Sequence, residues 1–296
     1  MRLNVFIAGS SGYLGSILLD KLSSKFNVIG GTRKIIQFKK NFKNVKKINY
    51  LDKKSVIKSL KNVDILIHLV GMNEKECRTK KKNSLIFQSK VTNNFLNSCV
   101  LNNVKKIIYI STEKVNKKKK NYYIKRHLIA ENIIKKNKLI NYTIIRAPNI
   151  FGFSNNYTSK EIKNTLVYSL IETLIKKKTL VIKKPNQYND LIPSNIFVEY
   201  LNYIISKSKF NSSIVKISYK KNNLKFFARL IEKRVKKLLN LETNLNIRKK
   251  LKSTHTNNQN KKNNLTKEKF SIKKKYNKNI FIKEIDRNII YISKTI

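Results

Sequence analysis

The chain has 296 residues, enough to bury a full core as one large α/β domain or as a nucleotide-binding domain with a smaller lobe. Its formal charge of +50 rests on 66 basic residues, but only nine are arginine, Asn and Ile abound and Trp is absent; this reads as an AT-rich codon bias, because a phosphate-reading face would favour the Arg fork. No apolar run approaches the ~20 residues that span a bilayer, Cys77 and Cys99 sit in no pairing motif and the three histidines are scattered, so membrane-spanning, disulfide-framework and metal-centre classes fall away.

Residues 3–7 form an apolar strand pattern that runs into Ala8-Gly9-Ser10-Ser11-Gly12-Tyr13-Leu14-Gly15, after which Leu14, Ile17, Leu18 and Leu22 recur at helical spacing. Strand, tight turn and helix in that order make a dinucleotide cradle. Gly9 lets the turn close, Gly12 lets backbone approach a pyrophosphate, and Gly15 lets the helix sit close on the sheet. The chain has only seven glycines and places three of them here, which makes the triplet more than a glycine-rich turn. A strand that begins at residue 3 leaves no room for a cleavable leader; the expected location is the cytoplasm, with both cysteines reduced.

Residues 27–32 read as a second strand, ending Gly30-Gly31-Thr32-Arg33. In a dinucleotide fold an acid about 20 positions past the glycines holds the adenosine ribose hydroxyls. No carboxylate occurs between Asp20 and Asp52, and Arg33, flanked by Thr32 and Lys34, suits a 2′-phosphate instead. NADP is therefore favoured over NAD. Residues 45–49 read as a strand, 53–61 as a short helix, and 63–71 as a strand buried on both faces, closed by a glycine suited to close approach of a cofactor. His68 reads there as a packed strand residue. Residues 85–101 carry a helical pattern through Phe87, Val91, Phe95, Leu96 and Val100, and 105–112 are another buried strand.

The segments GSSGYLG, DILIHLVG, IIYIST, YYIKRHLIAE, IIRAPNIFG and NDLIP follow one another along the chain. In this set the chain resembles the extended short-chain dehydrogenase/reductase family, the nucleotide-sugar epimerases, dehydratases and reductases. Five of the seven glycines lie in these motifs and the other two, Gly30 and Gly31, close the second strand, while Pro148 and Pro193 lie in two of the motifs. The resemblance implies a Rossmann-type doubly wound parallel α/β sheet over residues 1–155 and a smaller substrate lobe over 156–246, with segments returning to the core. In that lobe helices are predicted over 159–176, 194–206 and 222–239, and strands over 180–183 and 214–218. Residues 247–279 are Lys/Asn-rich and predicted to be mobile, and 280–296 regain apolar residues without a legible period.

The chemistry implied by the resemblance is hydride exchange between the nicotinamide of NADP or NAD and a sugar carbon, with a tyrosine moving the hydroxyl proton. A phenol, with pKa near 10, must be acidified to act as base at neutral pH, which the family achieves with a nearby lysine that also holds the nicotinamide ribose. A Ser or Thr hydroxyl donates to the reacting oxygen. These roles map to Tyr123 and Thr112, with Ser111 just before it; the motif Tyr-x-x-x-Lys reads Tyr123-Ile124-Lys125-Arg126-His127, with His127 in the lysine position. Starting from Tyr122 instead would put Arg126 there. The family's asparagine in the preceding helix is replaced by Gln88. Cofactor contacts fall on Gly9, Ser11, Gly12, Tyr13, Leu14, Gly15, Arg33, Leu69, Gly71, Tyr123, His127 and Pro148, and the substrate's diphosphate falls on Asn149. Dehydration is disfavoured, because the resembling dehydratases follow the threonine with Asp-Glu and this chain has Glu113-Lys114. The expected activity is epimerisation or keto-reduction of a nucleotide-sugar for surface glycans, with a homodimer as candidate assembly and no specific nucleic-acid partner. The alternative is a catalytically silent dinucleotide-binding protein that kept the cradle and lost the proton relay.

Overall fold

The computed structural model describes residues 2–33, 35, 44–154, 160–206, 211–248 and 276–296. Its strands are β1 (Asn4–Ala8), β2 (Asn27–Thr32), β3 (Val45–Lys47), β4 (Ile65–His68), β5 (Lys106–Thr112), β6 (Asn141–Ala147), β7 (Asn149–Phe151), β8 (Thr179–Ile182), β9 (Tyr188–Pro193), β10 (Ser213–Lys216), β11 (Lys220–Asn223) and β12 (Asn244–Ile247). Its helices are α1 (Tyr13–Leu22), α2 (Lys53–Ser59), α3 (Glu74–Leu101), α4 (Tyr122–Lys136), α5 (Leu166–Lys177), α6 (Ser194–Ser206), α7 (Leu224–Leu239) and α8 (Lys278–Ser293).

Seven strands pair in parallel in the order β3-β2-β1-β4-β5-β6-β10. The chain winds outward from β1 to β3 and then restarts at β4 on the other side of β1, so the topological switch lies between β1 and β4, at the strands' carboxyl ends. Every residue of β4 and β5 is buried, which is why their apolar runs show no alternation. Successive residues still go to opposite cores. Val5 and Ile7 meet α1 and α6 through Ile17, Leu18, Ile196 and Leu201 on one face; Phe6 and Ala8 meet α2, α3 and α4 through Val56, Val91, Phe95 and Ala130 on the other.

A third core is built on Phe151, Leu174, Leu191, Phe227, Ile231, Phe281 and Ile285. There β11-β9-β7 form one small sheet and β12-β8 another. Two segments of the range 156–246 pack on the large sheet: α6 packs with α1, and β10 extends the sheet beside β6.

Three helices differ from expectation, of which α5 begins at Leu166 and not at residue 159, after a separate 3-10 turn at Lys160–Asn164. α3 begins at Glu74 and not at residue 85, because Asn73 caps it: Asn73 Oδ1 accepts from the Glu76 N–H at 2.9 Å and Glu76 Oε2 accepts from the Asn73 N–H at 2.8 Å. A kink at Lys81 (φ 36°) then sets off the first turns, whose charged residues hide the period. The unplaced C-terminus is α8. Asn277 caps it through the Asn279 and Ile280 N–H groups, and Phe281, Ile285, Ile289 and Ile292 are its buried stripe, at spacings of four, four and three. The Lys/Asn-rich stretch 249–275 and Lys34 lie outside the described residues. Among the described residues no helix is long and apolar enough to cross a membrane. Cys77 and Cys99 are buried free thiols.

Candidate functional site

The turn between β1 and α1 occupies the switch point and is bolted to the end of β2. The Ser10 N–H and Oγ donate to Gly31 O at 2.9 and 3.0 Å, Tyr50 Oη donates to the same carbonyl at 2.7 Å, and Thr32 Oγ1 donates to Ser11 Oγ at 2.8 Å. Gly9 takes φ +89°, a left-handed value that favours glycine. α1 starts behind Gly12 with no side-chain cap and no acid in its first turn, so the positive end of its dipole is left for a ligand.

The other two glycines of the triplet do different work. A Cβ on Gly15 would collide with the Gly9 carbonyl, whereas one on Gly12 would meet only that oxygen, at 3.3 Å, and otherwise open space. Gly15→Ala is accordingly expected to cost about 3 kcal/mol of stability through overpacking, and Gly12→Val only about 1 kcal/mol, the loss of a tolerable N-cap. Thermal unfolding of the two variants checks the order.

Beyond the turn, Tyr13 Oη donates to Gly152 O at 3.0 Å, and Gly152 (φ +140°) leaves room for Ser194 and the buried Glu284 of α8. Leu14 and Leu69 are half-buried against the first core, and Arg33 is exposed at the end of β2. Gly71 is closed over: a Cβ there would collide with Arg126 Nη1 and stand 2.6 Å from Gln88 Oε1, so this glycine makes room for a guanidinium.

α4 carries the tyrosine and histidine. Asn121 caps it, its Oδ1 accepting from the Ile124 N–H at 2.9 Å. Its fully buried Glu131 accepts from Arg146 Nε (3.1 Å) and Nη2 (2.6 Å) and from Ser111 Oγ (2.6 Å). That brace locks α4 to β5 and β6. His127 and Tyr123 lie one and two turns earlier on the same helix face, where His127 meets Tyr109 of β5 and Tyr123 faces Lys114, two residues past Thr112. Thr112 Oγ1 accepts from the Lys114 N–H at 3.3 Å, which leaves its own proton to donate elsewhere.

The half-buried Tyr123 ring has His127 edge-on at 4.8 Å, Arg126 Cζ at 4.8 Å from its centroid and Lys114 Nζ at 5.6 Å. Lys114 is also paired with Glu74 at 2.8 Å. Arg126 thus stacks on Tyr123, while the Tyr122 ring faces Lys125. His127 Nδ1 lies 2.8 Å from Tyr109 Oη, and its Nε2 is buried without a hydrogen-bond partner. Burial, and then Arg126, hold its pKa well below the usual histidine value, so this imidazole is neutral at physiological pH. Arg126 is 6% exposed; its Nη1 donates to Gln88 Oε1 at 2.9 Å and its Nε is buried without a partner. His68 is fully buried between Phe95 and Tyr109, its pKa pushed down to about 3 by burial and then Arg126.

On the far side, Pro148 is buried and Asn149 is half-buried in β7, paired with Leu191 of β9. Glu113, next to Thr112, has its carboxyl pushed up by burial and then by Asp190. In the sequence reading above, Glu131 has no role in the site. The brace with Arg146 and Ser111 was missed, although all three residues fall inside quoted motifs. Among the described residues no cluster of His, Cys, Asp or Glu could hold a metal ion.

Residues 5–194 match the model of the NAD dependent epimerase/dehydratase family. No curated protein matches the sequence. Among solved structures, the UDP-N-acetylglucosamine 4-epimerase from Methanobrevibacter ruminantium M1, in complex with UDP-N-acetylmuramic acid, is 17% identical with a TM-score of 0.76, covering 100% of each chain. The UDP-N-acetylglucosamine 4-epimerase from Bacillus cereus is 17% identical with a TM-score of 0.75, over 98% of this chain and 96% of that one. The UDP-glucose 4-epimerase from Brucella ovis, in complex with NAD, is 14% identical with a TM-score of 0.70, over 83% and 86%. At these identities the likeness is one of fold. With well over half of its length matched by the family model, the chain belongs to the NAD dependent epimerase/dehydratase family.

Proposed function

We propose that the protein is an NAD(P)-dependent epimerase or keto-reductase of nucleotide-linked sugars, acting as a cytoplasmic homodimer on precursors of surface glycans. The observation that carries this is the placement of Tyr123: over a buried positive charge, beside the segment that follows Thr112, on a helix braced to the sheet by Glu131. A dinucleotide fits the residues present. The uncapped N-terminus of α1 suits a pyrophosphate, the Gly12 side is open, and the orphaned Nε2 of His127 suits a ribose hydroxyl. When bound, its nicotinamide supplies the hydride acceptor and donor. Tyr123 takes and returns the proton of the sugar hydroxyl, Thr112 donates to the reacting oxygen, and Asn149 meets the diphosphate. The UDP-sugar 4-epimerases among the structural neighbours support a UDP-sugar as substrate.

One observation favours the silent-binder reading: the family's lysine position holds a neutral histidine. Incubation with NAD or NADP and a panel of UDP-sugars divides the two. Interconversion of 4-epimers, or consumption of NADPH with a keto-sugar, supports the enzyme; saturable cofactor binding with no turnover across the panel removes it. Gly12→Val is expected to abolish cofactor binding in a calorimetric titration while the fold persists, and unchanged binding would show that the glycine serves the turn alone.

The finer reading is a preference for NADP. Where an acid would hold the ribose, Thr32 is tied to Ser11 and Arg33 is exposed. Arg33→Ala is expected to weaken NADPH about tenfold, the ~1.4 kcal/mol of a charge-assisted hydrogen bond, and to leave NADH unchanged. Equal dissociation constants for the two cofactors in the wild type would refute it.

A further inference from the structure

We infer that Arg126, and not the residue at the family's lysine position, supplies the positive charge that faces Tyr123 and offsets the negative charge its phenol carries once its proton is given up. This rests on the reading of Tyr123 as the proton carrier. Arg126 stands one residue before the lysine position, and its guanidinium lies beneath the Tyr123 ring, Cζ 4.8 Å from the centroid. The missing side chain of Gly71 gives it room and Gln88 Oε1 fixes Nη1 at 2.9 Å.

The guanidinium is nearly inaccessible, yet among the described residues it has no carboxylate partner. Gln88 is uncharged. His68 and His127 are held neutral, and burial raises the Tyr109 phenol so that it keeps its proton. Glu131 is taken by Arg146 and Ser111, and Glu74 by Lys114. A buried charge with no counter-ion is costly and is rarely left so. The counter-ion that the geometry offers is a tyrosinate on Tyr123, whose negative charge spreads into the ring above the guanidinium. An arginine keeps its charge at every working pH. Lys114 is farther from the ring, more exposed and already matched by Glu74. His127 is uncharged and committed to Tyr109. Arg126 is therefore a positioning residue that works through Tyr123.

The test reads tyrosinate by its ultraviolet absorbance against pH, each protein being compared with its own Tyr123→Phe counterpart so that the other tyrosines cancel. Arg126→Gln is expected to move the Tyr123 transition to higher pH, the direction in which removal of a facing opposite charge acts. Arg126→Met, which keeps the bulk of the stem, should do the same. His127→Gln and Lys114→Gln should each move it less. A transition unmoved in a folded Arg126→Gln or Arg126→Met protein overturns the inference, as does a larger shift in His127→Gln. The readout needs no substrate and no cofactor. A protein that shifts as described but turns over no nucleotide-sugar would keep this inference while losing the enzyme reading.

Discussion

Tyr123→Phe is expected to lower turnover of a nucleotide-sugar by about 10²–10⁴-fold, the usual worth of a positioned proton-transfer group, with cofactor affinity within about twofold of wild type. The change removes only the phenolic oxygen. The ring keeps its edge contact with His127 and its stack on Arg126, so neither α4 nor the cradle has cause to move. Loss should therefore fall on kcat and on kcat/KM together, as for an interaction made only in the transition state. Thr112→Val should act in the same direction by about 10-fold or more, since one donor to the reacting oxygen is lost and β5 is unchanged. Tyr122→Phe is the control: its ring faces Lys125 on the outer side of the helix, and turnover should persist. Activity that survives Tyr123→Phe and disappears in Tyr122→Phe would reverse the assignment.

How much of this was legible before the structure depends on what each feature's signal is made of. The cradle was legible because glycine is scarce here, so three in one turn stood out; Gly12 and Gly15 nonetheless look identical in sequence, and only the packing shows that one guards open space and the other a carbonyl. α8 was hidden by Ile282, Ile290 and Tyr291, apolar residues outside its buried stripe that blur the period. β10 was seen as a strand but not as part of the large sheet, because its partner β6 lies some 70 residues earlier and parallel pairing leaves no local mark. In the site, the four-residue spacing of Tyr123 and His127 placed them on one helix face. Lys125 and Arg126, adjacent and alike in charge, could not be told apart: the helix's rotation, set by Ile124, Ala130 and Glu131, sends Lys125 to solvent and buries Arg126. Gly71 belongs to the same lesson, since its purpose is a side chain more than fifty residues away.

Acidification is expected to destabilise the protein before its ordinary carboxylates titrate. His68 is neutral in the fold, with a pKa of about 3 against 6.5 when unfolded. Below pH 6.5 the unfolded chain therefore takes up a proton that the native state refuses, and stability falls with pH until the folded value is reached. The full interval is worth on the order of 5 kcal/mol, at about 1.4 kcal/mol per unit, a large part of a typical domain's stability. His127, lowered in the same direction, adds to the loss. Asp64 and Glu74, held below the usual carboxylate range through their hydrogen bonds and charges with lysines against the opposing effect of burial, add to it only at lower pH. Glu113 and Glu284, raised by burial, act with the opposite sign: their contribution is present at low pH and is lost as pH rises through their folded values. A single curve mixes these groups, so the test is a difference. Denaturant unfolding of wild type and His68→Gln between pH 6.5 and 4.5 should show the variant weaker at the upper end, where it loses packing on Phe95 and Tyr109, but with a slope shallower by about 1.4 kcal/mol per pH unit. Parallel lines over that interval would mean that His68 takes up its proton in the folded protein and that its burial does not govern acid stability.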